Sequence, residues 1–140
     1  MPYQVTVLEE HNIIMTELIG VFSPEDIDDY AHFLLSSEVY RKNGRLMVDY
    51  SKLDEIPASY NHLTQLTKPM SELMVEGGEI WQAGVKATAL NRGMSRQVNT
   101  LLELQNPNID SVNLQFFDSR EQAIAWLKHK PKEPVKESTD

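Results

Sequence analysis

Cysteine is absent from the 140-residue sequence. Its absence excludes disulfide scaffolds, thiol nucleophiles, iron–sulfur clusters and cysteine-ligated zinc. The sequence also has no apolar run long enough to span a bilayer, and no basic start followed by an apolar stretch. We therefore expect neither a transmembrane helix nor a secretory signal, and we expect a cytoplasmic location.

Basic residues are scarce, with 13 Lys and Arg against 21 Asp and Glu, a net charge of −8 and a pI near 4.9. Neutralising phosphates needs a basic surface, so this balance argues against a nucleic-acid partner. The length fits one domain. We predict this domain over residues 1–128 and a disordered tail over residues 129–140, where polar residues replace the apolar periodicity.

Motifs for catalysis and for cofactors are missing as well. The sequence has no Gly-x-Ser-x-Gly elbow, no Gly-x-x-x-x-Gly-Lys-Ser/Thr loop and no Gly-x-Gly-x-x-Gly turn after a strand. The histidines lie far apart and lack metal-ligand spacing; they are His11, His32, His62 and His129. We therefore expect neither a metal nor a cofactor.

Apolar residues alternate between the strand period and the helix period along the chain. The predicted strands are residues 3–8, 13–19, 45–50, 85–90 and 112–117, and the short break between the first two predicts an antiparallel hairpin. Ser23 and Pro24, followed by Asp26, are typical of a helix start with a capping box, and Gly44 is predicted to end this helix. Asp118 is predicted to cap the last helix. The order β-β-α-β-α-β-α-β-α predicts an α/β fold. Its five-stranded sheet is mixed but mostly parallel, and about four helices flank it.

The first candidate site lies where the parallel strands end, because ligands of open α/β sheets bind beyond the carboxyl ends of the strands. Asp49 and Ser51 end one predicted strand, and Arg92 and Arg96 lie near the start of a helix. The two arginines can hold a carboxylate or phosphate, although we favour a solvated pair. Asp49 can orient a ligand hydroxyl, although we favour bonds from backbone amides of its own loop.

The second candidate site is an apolar pocket on the predicted second helix. Met70 and Met74 share one face of this helix, and a kink at Pro69 can open a groove beside them. The other candidate pocket residues are Phe22, Leu63, Leu66 and Trp81. A hydrophobic core explains the same spacing and is favoured, and a self-association face that forms a homodimer is a third interpretation.

The element order, the strand from Leu46 to Ser51 and the segment from Phe116 to Leu127 resemble the SpoIIAA-like branch of the STAS superfamily. This resemblance covers residues 3–128 and implies a mixed sheet flanked by helices. In the best-known members it implies regulation through protein contacts, switched by phosphorylation of a serine that opens the second helix. Other branches bind small or apolar ligands, and many members have no assigned role.

Ser59 lies nearest to the position of that phosphorylated serine. The signalling members carry an Asp-Ser-Ser-Gly-like turn, whereas this sequence reads Ile-Pro-Ala-Ser-Tyr-Asn over residues 56–61. The acid, the second serine and the glycine are missing, so we favour Ser59 as a helix cap over a regulatory site.

Taken together, the sequence predicts a non-enzymatic binding or regulatory domain. Its partner is another protein or a small apolar or anionic ligand. The alternative is a small enzyme that uses the strand ends, with Asp49 and Arg92 as its functional residues.

Overall fold

The computed structural model describes residues 2–57, 62–64, 68 and 70–129 of the chain. Four sequence predictions lie outside these residues: the kink at Pro69, Leu66 as a pocket residue, the role of Ser59, and the disordered tail apart from His129.

The chain folds around one mixed sheet. Its strands are β1 (Tyr3–Leu8), β2 (Ile13–Val21), β3 (Arg45–Glu55), β4 (Glu79–Val85) and β5 (Ser111–Phe117). They lie side by side in chain order, with β1 antiparallel to β2 and the other neighbours parallel. The predicted hairpin and the mixed, mostly parallel five-stranded sheet are therefore confirmed.

Helices follow the parallel strands. They are α1 (Pro24–Ser36), α2 (Glu38–Asn43), α3 (Ala89–Gln105) and α4 (Arg120–Leu127), with a 3₁₀ turn at Glu76–Gly78. Residues 62–64, 68 and 70 are helical too. Within the described ranges, no helix is long and apolar enough to cross a membrane.

The helix starts follow side-chain capping. Ser23 caps α1, and its hydroxyl and the Asp26 carboxylate form the predicted capping box. Ser37 ends α1 and caps α2, so the single helix expected up to Gly44 is two helices. The predicted cap at Asp118 is wrong, because Ser119 caps α4 and accepts a hydrogen bond from the Gln122 amide.

The fourth strand begins six residues earlier than the sequence predicts, at Glu79–Val85 instead of 85–90. Gly84 interrupts the strand pattern in these residues, because glycine has no side chain to pack, and the strand was therefore not predicted there. A Cβ at Gly84 would lie 2.6 Å from the Phe116 ring, so the ring requires a residue without a side chain there. Thr88, predicted as strand, caps α3 instead by accepting a hydrogen bond from the Asn91 amide.

The two faces of the sheet are covered by different helices. On the α1 face, side chains such as Ile14 and Val48 pack against α1, α2 and α3. On the α4 face, Met47 and Ala83 pack against Leu127 of α4. Each face therefore has its own apolar core, which follows from the alternation of side chains along each strand.

Candidate functional site

A pocket of about 150 Å³ lies between the α1 face of the sheet and helices α1 and α3. Strands β2 and β3 contribute Leu18 and Val48 to its wall, α1 contributes Ala31, and α3 contributes Met94 and Leu102. Native interiors hold few voids larger than a water molecule. A pocket of this size with an apolar wall therefore favours an apolar guest over water.

Three hydroxyl groups in the pocket wall have partners inside the protein. The Tyr50 hydroxyl lies 2.8 Å from the Ser95 hydroxyl, and the Tyr30 hydroxyl lies 2.5 Å from the Thr16 hydroxyl. Burial raises the pKa of Tyr30, Tyr40 and Tyr50. These tyrosines therefore remain neutral phenols at physiological pH.

Asn99 is a residue of the pocket wall with a buried donor that is unpaired within the described ranges. Its side chain is 8% exposed, and its Nδ2 is buried without a hydrogen-bond partner among the residues that the structure describes. Asn106, near the end of the same helix, donates from Nδ2 to the carbonyl oxygens of Met70 and Leu73 at 2.8 and 2.9 Å. A buried donor without a partner costs about 1–3 kcal/mol, so Asn99 is a weak point of the fold.

The favoured interpretation of this apolar stripe was a hydrophobic core, and Met70, Phe22 and Leu63 are buried core residues. The same three residues also line the pocket, as the alternative interpretation predicted. Met74 is 64% exposed and Trp81 packs on the α4 face, so neither belongs to the pocket. Residues 71–75 form a turn and irregular backbone, and the helical spacing that joined Met70 to Met74 therefore does not continue. Leu66 lies outside the described residues.

The strand ends carry a cluster of two acids and two bases on the α4 face. Arg120 Nε lies 2.7 Å from Asp49 Oδ2, and Arg120 Nη2 lies 2.9 Å from Glu17 Oε2. Lys52 Nζ lies 3.3 Å from the same Glu17 oxygen. Asp49 Oδ1 also accepts a hydrogen bond from the Ser51 amide at 2.8 Å, as the favoured interpretation of Asp49 predicts.

The electrostatics of Asp49 follow from these contacts. Burial acts to raise the pKa of Asp49, but hydrogen bonds from Ser51 and Arg120 outweigh it and hold the pKa below its usual value. Asp49 is therefore an ionised, paired carboxylate rather than a poised general base. Sequence reasoning missed Glu17 and Arg120. Pairing β2 with β3 was the available signal, because their register puts Glu17 beside Asp49 and two adjacent carboxylates need a cation.

The candidate anion-binding arginines lie on one aromatic ring. The guanidinium carbons of Arg92 and Arg96 lie 5.2 and 5.3 Å from the centre of the Phe116 ring. Arg92 Nε also donates to the Ala87 carbonyl at 3.3 Å. Cation–π interactions with the Phe116 ring therefore explain where the Arg92 and Arg96 side chains lie. Anion binding there stays a prediction.

The histidine predictions can be compared with the described part of the chain. His32 Nδ1 lies 3.7 Å from Asp28 Oδ2, and both side chains are exposed, as the helical spacing predicts. Within the described ranges, no three histidine, cysteine or acidic side chains are grouped so that they could hold a metal ion.

The sheet order and the helices on both faces define an α/β domain with a SpoIIAA-like fold, which confirms the predicted resemblance. One similar solved structure is an uncharacterized protein from the DUF3478 family with a SpoIIAA-like fold, from Shewanella loihica PV-4. Its identity is 14%, the match covers 89% of this chain and 93% of that chain, and the TM-score is 0.52.

A second similar structure is the anti-sigma factor antagonist SpoIIAA in its unphosphorylated form. Its identity is 8%, the match covers 91% of this chain and 99% of that chain, and the TM-score is 0.53. At these identities the two likenesses show the fold alone. No protein-family model matches the sequence, and no curated protein matches it.

Proposed function

We propose that this chain is a binding domain that takes a small, mostly apolar molecule into the pocket between the sheet and helices α1 and α3. The observation that carries the proposal is the pocket of about 150 Å³ with its apolar wall. A cavity of about 150 Å³ lined by aliphatic and aromatic side chains is large enough to bind benzene. The ligand is therefore of the size of one aromatic ring.

Binding is favoured over catalysis by the state of the two residues that the enzyme alternative needs. Asp49 is held by Ser51 and Arg120, and Arg92 lies on the Phe116 ring. Neither is a free acid, base or nucleophile. A regulatory role through a protein partner is a second proposal, which the likeness to an anti-sigma factor antagonist supports. Self-association as a homodimer likewise stays a proposal.

The proposed function can be tested with a substitution that partly fills the pocket. Ala31 on α1 lines it and is 3% exposed, so Ala31→Leu places three additional carbon atoms in its wall. Ala125→Leu is the matched control, because Ala125 is exposed on α4. Toluene is titrated into the ¹⁵N-labelled proteins, and amide shifts are followed.

We expect saturable shifts of α1 and α3 amides in the wild type and in Ala125→Leu, and a loss of these shifts in Ala31→Leu. Shifts that do not saturate in the wild type, or equal binding by Ala31→Leu, would contradict the proposed function.

A further inference from the structure

Resting on the proposed function, we propose that the ligand is a neutral molecule of one-ring size that carries a hydrogen-bond-accepting oxygen, and that the side-chain amide of Asn99 binds this oxygen. The pocket face of α3 gives the geometry. Ser95, Val98, Asn99 and Leu102 follow the helical spacing of one face, and all four line the pocket. Asn99 therefore lies on the face of α3 that borders the pocket, and its Nδ2 is buried there.

The hydrogen bonds in the wall distinguish Asn99 from Ser95 and Tyr30. Ser95 is bound to the Tyr50 hydroxyl, and Tyr30 is bound to Thr16. The Asn99 Nδ2 is buried and has no hydrogen-bond partner in the described ranges. An oxygen from a ligand would complete this donor, and the penalty for leaving it unpaired would become part of the binding free energy.

Asn106 is a buried asparagine with a structural role, and it serves as a comparison for Asn99. It is 2% exposed, its Nδ2 donates to two backbone carbonyl groups, and its Oδ1 accepts from the Asn108 amide at 2.8 Å. Every part of that amide is used by the fold. Asn99 is buried almost as completely, but its Nδ2 donor is not used in this way by the described residues.

The charge of the pocket wall narrows the class of ligand. The described residues that line the pocket include no Lys, Arg, His, Asp or Glu. An ionised ligand would lose its hydration there without a counter-charge, which is costly. A neutral alcohol, ketone, aldehyde or ether on one ring fits better than a carboxylate or a phosphate.

The experiment compares two probes of nearly equal shape, benzyl alcohol and ethylbenzene, which differ by a hydroxyl in place of a methyl group. Their dissociation constants are measured by NMR titration for the wild type, for Asn99→Leu and for Asn43→Leu. Asn43 is the control because its Nδ2 donates to the Val39 carbonyl in α2, away from the pocket.

We expect Asn99→Leu to weaken benzyl alcohol binding about tenfold, the effect of one lost hydrogen bond to a buried donor. The dissociation constant of ethylbenzene should change less than about twofold in Asn99→Leu. Asn43→Leu should leave the dissociation constants of both probes unchanged. Equal changes for both probes in Asn99→Leu would overturn the role of Asn99. No binding of either probe to the wild type would overturn the proposed function itself.

A measurement of thermal stability without ligand shows whether the folded protein itself uses the Asn99 amide. Asn99→Leu should raise the unfolding midpoint temperature of the ligand-free protein, because it removes a buried donor without a partner. A lower midpoint would show that the amide is used by the folded protein, and it would overturn the inference.

Discussion

The two faces of the sheet differ in how completely their side chains are packed and their polar groups are paired. On the α4 face, Met47, Ala83 and Leu127 have no exposed surface, and the charges are paired through Arg120. On the α1 face, a pocket of about 150 Å³ lies between the sheet and helices α1 and α3, and the buried Asn99 donor has no partner in the described part of the chain.

This difference puts the more completely buried core on one face of the sheet and the proposed binding pocket on the other. Ala83 of the sheet and Ala123 of the eight-residue α4 are fully buried in the same apolar cluster, and the rings of Trp81 and Trp126 stack with their centres 4.7 Å apart. Imperfections in packing and in polar pairing are expected at functional sites. They fall on the α1 face, where the ligand is proposed to bind.

The largest expected effect comes from two methionine truncations on opposite faces. Met47 is 0% exposed on the α4 face, and Met70 is 7% exposed in the pocket wall. We expect Met47→Ala to lower the free energy of unfolding by about 2–5 kcal/mol, because it leaves a new cavity in a packed core. Met70→Ala should cost less, because its side chain already borders a void and loses fewer contacts. Urea unfolding of both variants measures the two changes.

An equal or larger loss in Met70→Ala would show that the α1 face is as tightly packed as the α4 face. It would remove the contrast on which the proposed binding role depends.

Much of the fold could be predicted from local sequence signals. The hairpin, the capping box at Ser23 and Asp26, and the stop at Gly44 depend on residues close in the chain, and the structure has all of them. The fourth strand was misplaced because its glycine, Gly84, is explained only by Phe116 of the neighbouring strand. A constraint that comes from a distant residue leaves no local pattern.

The candidate site was harder to predict for the same reason. Met70 followed from helical spacing, but Asn99 carries no signal in the sequence, because an asparagine on a helix is ordinary. Its importance appears only when its hydrogen bonds are counted in three dimensions. Arg120 is likewise 71 residues from Asp49 in the chain, and only the sheet and α4 bring them together.

An intermediate effect is expected from neutralising Asp49, whose side chain is 4% exposed in the ion pair with Arg120. Asp49→Asn should lower the free energy of unfolding at pH 7 by about 1–3 kcal/mol. Because the folded-state pKa of Asp49 is lowered, its contribution is present above the unfolded-state pKa and is lost as the pH falls through the folded-state value. Urea unfolding from pH 7 down to pH 3 should therefore show a smaller loss of stability in the variant than in the wild type.

The matched control for this variant is Asp28→Asn, because Asp28 is 63% exposed beside His32. It should change stability by less than about 0.5 kcal/mol at pH 7. A parallel pH dependence in Asp49→Asn and the wild type would show that the α4-face cluster does not hold Asp49 in its charged form.

The smallest effect is expected at Arg96, which lies on the pocket side of the sheet but outside the pocket wall. Its guanidinium carbon lies 5.3 Å from the Phe116 ring centre, and the residue is exposed. Arg96→Gln keeps a good helix former and removes only the cation–π contact, so we expect a loss below about 1 kcal/mol. Arg120→Gln should cost more, because Arg120 bridges Asp49 and Glu17 on the α4 face. Urea unfolding of the two variants measures both losses in the free energy of unfolding. A loss in Arg96→Gln as large as that in Arg120→Gln, or larger, would mean that the charges on the α1 face stabilise the fold as strongly as the paired charges on the α4 face.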